Sequence, residues 1–514
     1  MLINLKKNFT IVCRGSWLSL AQAELFKEKV KDIFPDVSLN VLIKETAGDK
    51  NQLMPLHLVE GKDFFTREIQ DALLNGDADF AVHSMKDVSS EAFFQHGHFA
   101  IIDRDTLNDV AIFNSNIVEK IARGDSIVIG TSSPRRSNMA SEFLQKALPK
   151  FGNGHPSIIA KPIRGNVDGR LQKLNDGLFD GIILATAGLN RLLNYEPAVQ
   201  TVSSLLANKK IMVLPLFECP PAAGQGAIVA ETTATNKDAL QILEAIKNSK
   251  FGKAVKKERK YAQRHGYGCS QQFGVFHLDL NDVSFTYAAG KDAENEFTEW
   301  DFDGSLPAVS QKVFVASKYM KEFFEYSFYN DVAIEANEKI IFVASHAAVH
   351  SSAIQQAISS KIVWAAGTHT WLKLAEQNIW VQGCADGLGL EWVLNLMNSP
   401  LINIAKRDVT ILTNTSSAND WIKDGWRATG SYGIKPVFDQ GIAEKIAGSE
   451  ILFWTSFQQY LLYRDYINPL SKHCCPAGKT AVLLQREGIS PAVFPGIKSF
   501  NEWVNNPTIV TSEG

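Results

Sequence analysis

The stretch FDGIILATAGLNRLL, residues 179–193, carries the pattern from which the fold class follows. Its first part contains the short apolar run GIILA, and its second part spaces its leucines as one face of a helix does. The same alternation recurs elsewhere, for example where FTIVC, residues 9–13, precedes SLAQAELFKEKVKDIF, residues 19–34. Alternation of this kind predicts an α/β protein built from parallel sheets and covering helices.

The composition limits the classes of partner. A chain of 514 residues with 45% hydrophobic content is long enough for three or four domains, and its net charge of −3 gives no general attraction to nucleic acid or to an anionic membrane. The six cysteines form no CxxC pair, so we expect a reduced compartment and no metal site. The N-terminus has no apolar signal region and no run reaches about 18 apolar residues, from which we expect a cytoplasmic protein.

Two further patterns divide the chain. Residues 273–304 alternate with period two and predict a small antiparallel sheet, with a boundary near residue 306. In the second half, IIFVASHAAVHSSAIQQAISSKIVWAAGTHTWLKLAEQNI returns as EILFWTSFQQYLLYRDYINPLSKHCCPAGKTAVLLQREGI, which aligns Ser345 with Ser456 and Gly367 with Gly478, both 111 positions apart. Two copies of this length predict two similar α/β domains that face each other across a cleft.

Polar clusters stand at several predicted strand ends in the first half. Any one cation among them is by default a solvated surface group, but together they predict a cleft lined with guanidinium groups for a ligand that bears many carboxylates or phosphates. Nucleotide phosphates are less favoured, because the chain has neither a GxxxxGK[ST] loop nor a GxGxxG fingerprint. The clusters contain Arg14, Ser16, Gln22, Lys62, Phe65, Lys86, Asp87, Ser132, Ser133, Arg135, Arg136, Arg164, Arg170 and Gln225.

Two residues stand out against this cationic background. Asp87, in VHSMKD, is either a salt-bridge partner or a carboxylate for a ligand that carries or develops positive charge. Cys269, in HGYGCSQQFG, is either a plain buried cysteine or a thiol that the flanking glycines aim outward.

Residues 9–305 resemble hydroxymethylbilane synthase, also called porphobilinogen deaminase. The resemblance is carried by RGSWLSLAQA, GKDFFTREIQDALLNGDADFAVHSMKDV, IGTSSPRRS, IRGNVDGRLQKLNDGLFDGIILATAGLNRL and PAAGQGAI. It implies two periplasmic-binding-protein-like α/β domains, residues 1–102 with 225–246 and residues 103–224, and a small α+β domain, residues 247–306. It also implies a monomer that acts on the small molecule porphobilinogen without nucleic-acid or membrane partners.

The resemblance also assigns roles to residues. A dipyrromethane cofactor is expected on Cys269 through a thioether, and Asp87 is expected to be the catalytic residue. The cofactor-binding residues implied are Lys86, Ser132, Ser133, Arg135, Arg136, Arg164 and Gly165. The substrate-binding residues implied are Arg14, Ser16, Gln22, Lys62, Phe65, Arg170, Arg191 and Gln225. The family's proline after the cofactor cysteine and after HSxKD is absent here, in CSQQFG and KDVSS, which affects loop shape rather than any charged contact.

The second half, residues 307–514, resembles uroporphyrinogen-III synthase, mainly through FVAS, AAGTHTWLKL, FWTS and PAGKTAVLL. A second site is predicted at Ser345, Thr370, Ser456 and Thr480, although the two serines are equally explained as helix N-caps. The resemblance implies condensation of four porphobilinogens followed by cyclisation. The alternatives are a deaminase with a non-catalytic second half and a non-enzymatic anion-binding protein.

Overall fold

The stretch 179–193 folds as the sequence predicts. Gly181–Ala185 forms a strand and Thr186–Leu193 forms the helix that follows it, with Leu189 and Leu192 buried on one face. The computed structural model describes residues 5–46, 66–88, 98–151, 156–265, 271–280, 283–292 and 295–505. The predicted site residues Lys62, Phe65 and Cys269 lie outside the described residues.

In the part of the first half that the structure describes, there are two mixed sheets and one antiparallel sheet. In chain order its elements are β1 Asn8–Cys13, α1 Trp17–Ile33, β2 Ser38–Ile43, α2 Arg67–Leu74, β3 Phe80–Ser84, β4 Phe99–Arg104, β5 Asp109–Phe113, α3 Ile117–Arg123, β6 Ile127–Gly130, α4 Ser141–Ala147, β7 Ile158–Lys161, α5 Val167–Asn175, β8 Gly181–Ala185, α6 Thr186–Leu193, α7 Glu196–Leu206, β9 Lys210–Val213, β10 Ala227–Glu231, α8 Lys237–Ile246, α9 Ser249–His265, β11 Gln272–Asp279, β12 Ser284–Asp292 and β13 Asn295–Phe302.

The first two sheets are not purely parallel, so that part of the prediction is wrong. The first sheet has the order β2-β1-β3-β10-β4, and the second has the order β7-β6-β8-β5-β9. In the first sheet β10 runs antiparallel to both of its neighbours, and in the second sheet β5 does. The reason is the chain path, since the chain leaves the first sheet after β4 and returns to it as β10.

The predicted antiparallel sheet is present. Strands β11, β12 and β13 pair in that order with continuous antiparallel register. Helix α9 packs against β11 and also against β4 of the first sheet. The antiparallel sheet is therefore joined to the first sheet through this helix.

The second half contains two further sheets. One is parallel, with the order β14-β21-β22-β23, and the other has the order β15-β20-β19-β16-β17-β18. In chain order the elements are β14 Val313–Val315, α10 Met320–Phe323, β15 Phe324–Phe328, β16 Ile340–Val343, α11 Ser352–Ser359, β17 Ile362–Ala365, α12 Thr368–Glu376, β18 Val381–Cys384, α13 Leu390–Met397, β19 Val409–Asn414, α14 Thr415–Lys423, β20 Arg427–Pro436, α15 Gln440–Ala447, β21 Ile451–Phe453, α16 Phe457–Tyr463, β22 Lys472–Pro476, α17 Lys479–Arg486, β23 Ala492–Phe494 and α18 Ile497–Asn505.

The two copies of the repeat form the same sequence of elements in different sheets. The first copy supplies β16, α11, β17 and α12 to the six-stranded sheet, and the second supplies β21, α16, β22 and α17 to the four-stranded sheet. The second copy contacts the loop that follows β18, since the N–H of Lys479 donates to the carbonyl oxygen of Gly387 at 3.5 Å.

The two halves of the chain meet along the edges of two sheets. Edge strand β9 lies beside edge strand β18, and the indole N–H of Trp380 donates to the carbonyl of Ile211 at 3.1 Å. One hydrophobic cluster spans this junction through Phe113 and Val343, and another spans it through Ile112 and Phe342. Because neighbouring residues of a strand point to opposite faces, both faces of the junction are covered.

Among the residues described, no helix is both long enough and apolar enough to cross a lipid bilayer.

Candidate functional site

An open cleft lies at the carboxyl ends of β1 and β3. These strands are parallel neighbours, so the residues that follow them meet at one edge of the first sheet. The cleft has an empty volume of about 390 Å³. Its described lining consists of Arg14, Ser16, Leu18, Ser19, Gln22, Thr66, Val82, His83, Ser84 and Asp87. The structure thus brings together four predicted site residues from two separate motifs.

Asp87 lies on a short 3₁₀ turn, Met85–Asp87, directly after β3. Met85 and Val88 are buried and anchor the turn, whereas Lys86 and Asp87 are exposed to solvent, and Asp87 lines the cleft. The buried guanidinium group of Arg259, on α9, donates to the carbonyl of Val88 at 2.8 Å and to that of Met85 at 3.5 Å. Arg259 therefore fixes the turn that presents Asp87.

Lys86 lies on this turn, and four arginines act electrostatically on the residues of the turn or on one another. Water reaches Lys86, yet the surrounding protein desolvates it enough to lower its pKa to about 8, and the charges of Arg136 and Arg135 act in the same direction. Desolvation likewise lowers the pKa of Arg170 to about 10, with further repulsion from Arg136 and Arg164. The negative charge of Asp87 acts to raise the pKa of both Lys86 and Arg170. Asp87 therefore lies within electrostatic range of these two cations. The site therefore holds positive charges that repel one another.

A buried carboxylate organises the two arginines that follow β6. Asp109 accepts from Arg135 Nη2 at 2.7 Å and from Arg136 Nη2 at 2.6 Å. Burial acts to raise the pKa of Asp109, but the charges and hydrogen bonds of Arg136 and Arg135 outweigh it and hold that pKa well below its usual range. Two guanidinium groups on one carboxylate leave a net positive charge at this point of the site.

Several predicted ligand-binding side chains are engaged within the protein. Gln225 is 1% exposed and donates to the carbonyl of Leu107 at 2.7 Å and to Asp109 at 2.9 Å. Buried Arg191 donates to the carbonyl of Gly226, and desolvation lowers its pKa. The substrate-binding roles of Gln225 and Arg191 stay predictions, and the contacts described here are structural.

The loops after β6 and β7 are tied together. Ser132 Oγ donates to the carbonyl of Ile163 at 2.6 Å and accepts from its N–H at 3.1 Å. Ser133 Oγ accepts from the N–H of Arg136 at 3.5 Å. Gly165 adopts a φ of 110°, in the region that favours glycine, and its carbonyl accepts from Arg170 Nε at 2.8 Å. These bonds position Arg170 beside Arg164, whose own carbonyl accepts from Lys173 at 2.8 Å.

The residues near the start of α1 have local partners as well. Ser16 is the N-cap of α1 and accepts from the N–H of Ser19 at 3.3 Å. Gln22 is buried and donates to Ser84 Oγ at 2.7 Å, which joins α1 to the end of β3. Arg14 lines the cleft beside them.

The predicted second site is built from helix starts. Ser345 Oγ accepts from the N–H of Ala347 at 3.3 Å. Ser456 forms a capping box with Gln459 at the start of α16. Thr370 is buried on α12, and Thr480 is half-buried on α17. The interpretation of both serines as N-caps is confirmed, and their role in a ligand site stays a prediction.

Sequence reasoning missed Asp109, Glu258 and Arg259. The carboxylate of Glu258 is fully buried and binds the guanidinium group of Arg104 at 2.8 Å and the N–H of Gly224 at 2.8 Å. Glu258 and Arg259 lie in the charged stretch KKERKY, which resembles a solvated helix face. Asp109 carried a weak signal, since it is a lone carboxylate at the start of the apolar strand DVAIF.

The fold and the site together define an α/β protein with an open cleft that is lined by Arg14 and Asp87, and with a group of lysine and arginine side chains that interact electrostatically near Asp87. The family profile described as "Porphobilinogen deaminase, dipyromethane cofactor binding domain" matches residues 9–241. The porphobilinogen deaminase of Listeria innocua serovar 6a is 33% identical over 309 residues, which cover 92% of that protein and 59% of this chain. A probable porphobilinogen deaminase of Pyrobaculum islandicum is 33% identical over 281 residues, 86% of that protein and 54% of this chain. The chain belongs to the porphobilinogen deaminase family.

Two solved structures are similar to this chain at low TM-score. The uroporphyrinogen-III synthetase of Helicobacter pylori 26695 has a TM-score of 0.25 at 16% identity, and the match covers 36% of this chain and 91% of that protein. A ligand-binding component of an ABC-type import system from Staphylococcus aureus has a TM-score of 0.27 at 16% identity, over 51% of this chain and 80% of that protein. Similarity at this level carries no argument about the fold.

Proposed function

We propose that the first half joins four porphobilinogen molecules head to tail into hydroxymethylbilane and releases one ammonia at each step. Membership of the deaminase family supports this activity. The observation that carries it is the placement of Asp87 on an exposed turn, where it interacts electrostatically with Lys86 and Arg170. Such a site binds carboxylates and also offers one negative group to a developing cation.

The cations match the acidic groups of the substrate. Each porphobilinogen carries an acetate and a propionate, so every unit added brings two carboxylates. The lowered pKa values of Lys86, about 8, and Arg170, about 10, report desolvation and mutual repulsion, and bound carboxylates relieve the repulsion. Arg14 and the cleft residues beside it are suited to the incoming monomer.

The same residues fit a dipyrromethane cofactor. A dipyrromethane made from two such units bears four carboxylates, and Lys86, Arg136, Arg164 and Arg170 supply four cations that interact with one another. Lys86, Ser132, Ser133, Arg135, Arg136, Arg164 and Gly165 are the residues that would hold it. When bound to Cys269, it supplies the primer that the substrate units extend.

Asp87 acts on the pyrrole rings. Its carboxylate accepts the N–H of a pyrrole and stabilises the positive charge that develops on porphobilinogen as ammonia departs. The turn of Asp87 is held by Arg259 through backbone carbonyls, which leaves the carboxylate exposed to the cleft.

The intact mass of the protein tests this function. Protein from a cell that makes porphobilinogen should exceed the polypeptide mass by one dipyrromethane, and it should consume porphobilinogen. Cys269→Ser is the matched control and should carry no added mass. A wild-type protein with the bare polypeptide mass and no turnover would favour a non-enzymatic anion-binding protein instead.

We also propose that the second half cyclises hydroxymethylbilane to uroporphyrinogen III with inversion of the last ring. The repeat supports this, since in each copy a serine follows the first strand, and the second copy contacts the loop after β18 through Lys479 and Gly387. Neutral hydroxyl and backbone N–H donors suit a site in which one ring must detach, turn and rejoin.

A second candidate is a non-catalytic second half. The observation that favours it is that Ser345 and Ser456 are both engaged in helix capping. The isomer made from porphobilinogen by the full-length protein decides between the two, because hydroxymethylbilane left alone cyclises without inversion to type I. Mainly type III supports a synthase, and only type I supports the non-catalytic alternative while leaving the deaminase assignment intact.

A further inference from the structure

The segment of residues 214–221, which follows β9, lies where the two halves of the chain and the antiparallel sheet meet. The ring of Phe217 packs edge-on against Phe276 of β11 at 5.3 Å and against Tyr287 of β12 at 5.2 Å. The carbonyl of Pro221 accepts from the N–H of Val275 at 2.8 Å. Segment 214–221 therefore seats the start of β11, the strand that follows the Cys269 loop in the sequence.

The same segment holds one of the arginines of the cofactor site. Arg135 Nη1 donates to the carbonyl of Pro220 at 2.6 Å, while its other terminal nitrogen binds Asp109. A Cβ placed on Gly274 would lie 1.9 Å from the carbonyl oxygen of Pro220. Strand β11 therefore packs so closely against this segment that position 274 has no room for a side chain. A displacement of segment 214–221 would move both Arg135 and β11.

A residue of the second half holds this segment in place. Asp386 follows β18, and both of its carboxylate oxygens accept the N–H of Leu216 at 3.1 Å. Asp386 is 8% exposed and adopts a φ of 52°, a conformation that asparagine tolerates better than alanine does.

We propose that Asp386 is a positioning residue for the cofactor site of the first half, acting through segment 214–221 on Arg135 and on β11. The proposal rests on the proposed function, which assigns the cofactor to these elements. It does not depend on whether the second half is itself catalytic. The two halves are then coupled by a specific contact as well as by apolar packing.

The electrostatics of the contact provide a distinct readout. Burial raises the pKa of Asp386 to about 7, and the neighbouring charge of Glu218 adds to this. Glu218 and Cys219 face it from the segment and Cys384 faces it from β18, and burial raises the pKa of each. A carboxyl group whose pKa is higher in the folded protein than its unfolded value near 3.9 makes the protein less stable as pH rises from about 4 to 7. Replacement by asparagine should remove this dependence.

The test uses the full chain with Asp386→Ala, Asp386→Asn and, as a matched control, Trp380→Phe, which removes a different hydrogen bond at the same junction. Asp386→Ala leaves the buried N–H of Leu216 without its acceptor, so we expect faster hydrogen exchange in residues 214–221 and 272–279 and at least about tenfold lower porphobilinogen turnover. Asp386→Asn should restore turnover to within about threefold of wild type, because its amide oxygen still accepts. Trp380→Phe should leave exchange in both segments unchanged.

Three results would overturn the proposal: wild-type turnover and dipyrromethane loading in Asp386→Ala, unchanged exchange in residues 272–279, or an equal loss in Trp380→Phe. Wild-type protein that carries no dipyrromethane would overturn the proposed function instead. In that case the exchange measurement still decides whether Asp386 fixes the segment.

Discussion

At the scale of single residues, the candidate site depends on carboxylates in two different environments. Asp87 is exposed on a turn in the cleft, whereas Asp109 is buried under two guanidinium groups. An exposed carboxylate among cations is available to a ligand, and a buried, fully paired one is not. We therefore expect removal of the charge of Asp87 to lower turnover and removal of the charge of Asp109 to lower stability.

Asp87→Asn should retain the fold but lose deaminase turnover by about 10²–10³-fold, because a neutral amide keeps the shape of the turn and cannot stabilise a developing cation. The measurement is the rate of porphobilinogen consumption per protein loaded with cofactor. Asp36→Asn, on an exposed loop, is the control and should have wild-type turnover. Normal turnover in Asp87→Asn would remove Asp87 from the mechanism.

Asp109→Asn should destabilise the protein by roughly 3–5 kcal/mol at pH 7, since it leaves Arg135 and Arg136 buried without their counter-charge. The pKa of Asp109 is lowered on folding, so its stabilisation is present above the unfolded value near 3.9 and is lost as pH falls through the lower folded pKa. Urea denaturation should therefore show a gap between wild type and variant that narrows below about pH 4. Asp125→Asn, which breaks an exposed pair with Arg123, should cost less than about 1 kcal/mol.

At the scale of elements, the turn before β10 combines tight backbone packing with an arginine contact. Gly226 has a φ of 80°, and its carbonyl accepts from Arg191 and from the N–H of Asp105. A Cβ placed there would lie 2.6 Å from the carbonyl oxygen of Asp105. Glycine is required at this position both for its conformation and for its size.

Gly226→Ala should therefore lower the free energy of unfolding by at least about 1–2 kcal/mol, the cost of a positive φ alone. Gly169→Ala is the matched control, because Gly169 lies within α5 and an added Cβ meets nothing within 4 Å. That substitution should stabilise the protein by about 0.5–1 kcal/mol. Equal effects of the two substitutions in urea denaturation would contradict this account of the turn.

At the scale of the whole molecule, the second half is part of the support of the first. Trp371 of α12 is fully buried, donates to the carbonyl of Ala147 at 3.2 Å and packs edge-on against Phe143 at 5.1 Å. Removal of the second half would expose Phe143 and the edge of β9 to water. The junction covers apolar side chains of the first half, such as Phe113 and Ile112.

A chain that ends at Gly304 should fold less stably and should have lower deaminase activity than the full chain. The comparison is a full-length protein that is cleaved once in the exposed stretch 303–305. The cleaved protein keeps every contact of the junction and should retain turnover. The measurement is porphobilinogen consumption together with recovery of folded protein. Full activity of the shortened chain would show that the junction is dispensable.

The sequence by itself determined the local elements and the family. Periodicity fixed the strand β8 and the helix α6 in residues 179–193, the antiparallel sheet and the two copies of the repeat, because each depends on residues close together in the chain. The motifs also placed Asp87 and Arg14 at strand ends, and the parallel pairing of β1 and β3 brings them together in one cleft.

Only the tertiary structure decided which charged side chains are buried with a partner and which are exposed to solvent. Asp109 meets Arg135 across 26 positions, Arg259 meets Val88 across 171, and Asp386 meets Leu216 across 170. No local pattern encodes such contacts, because burial and partner are set by how separate elements pack. The reversed directions of β5 and β10 have the same origin, since they follow from the path of the chain between sheets.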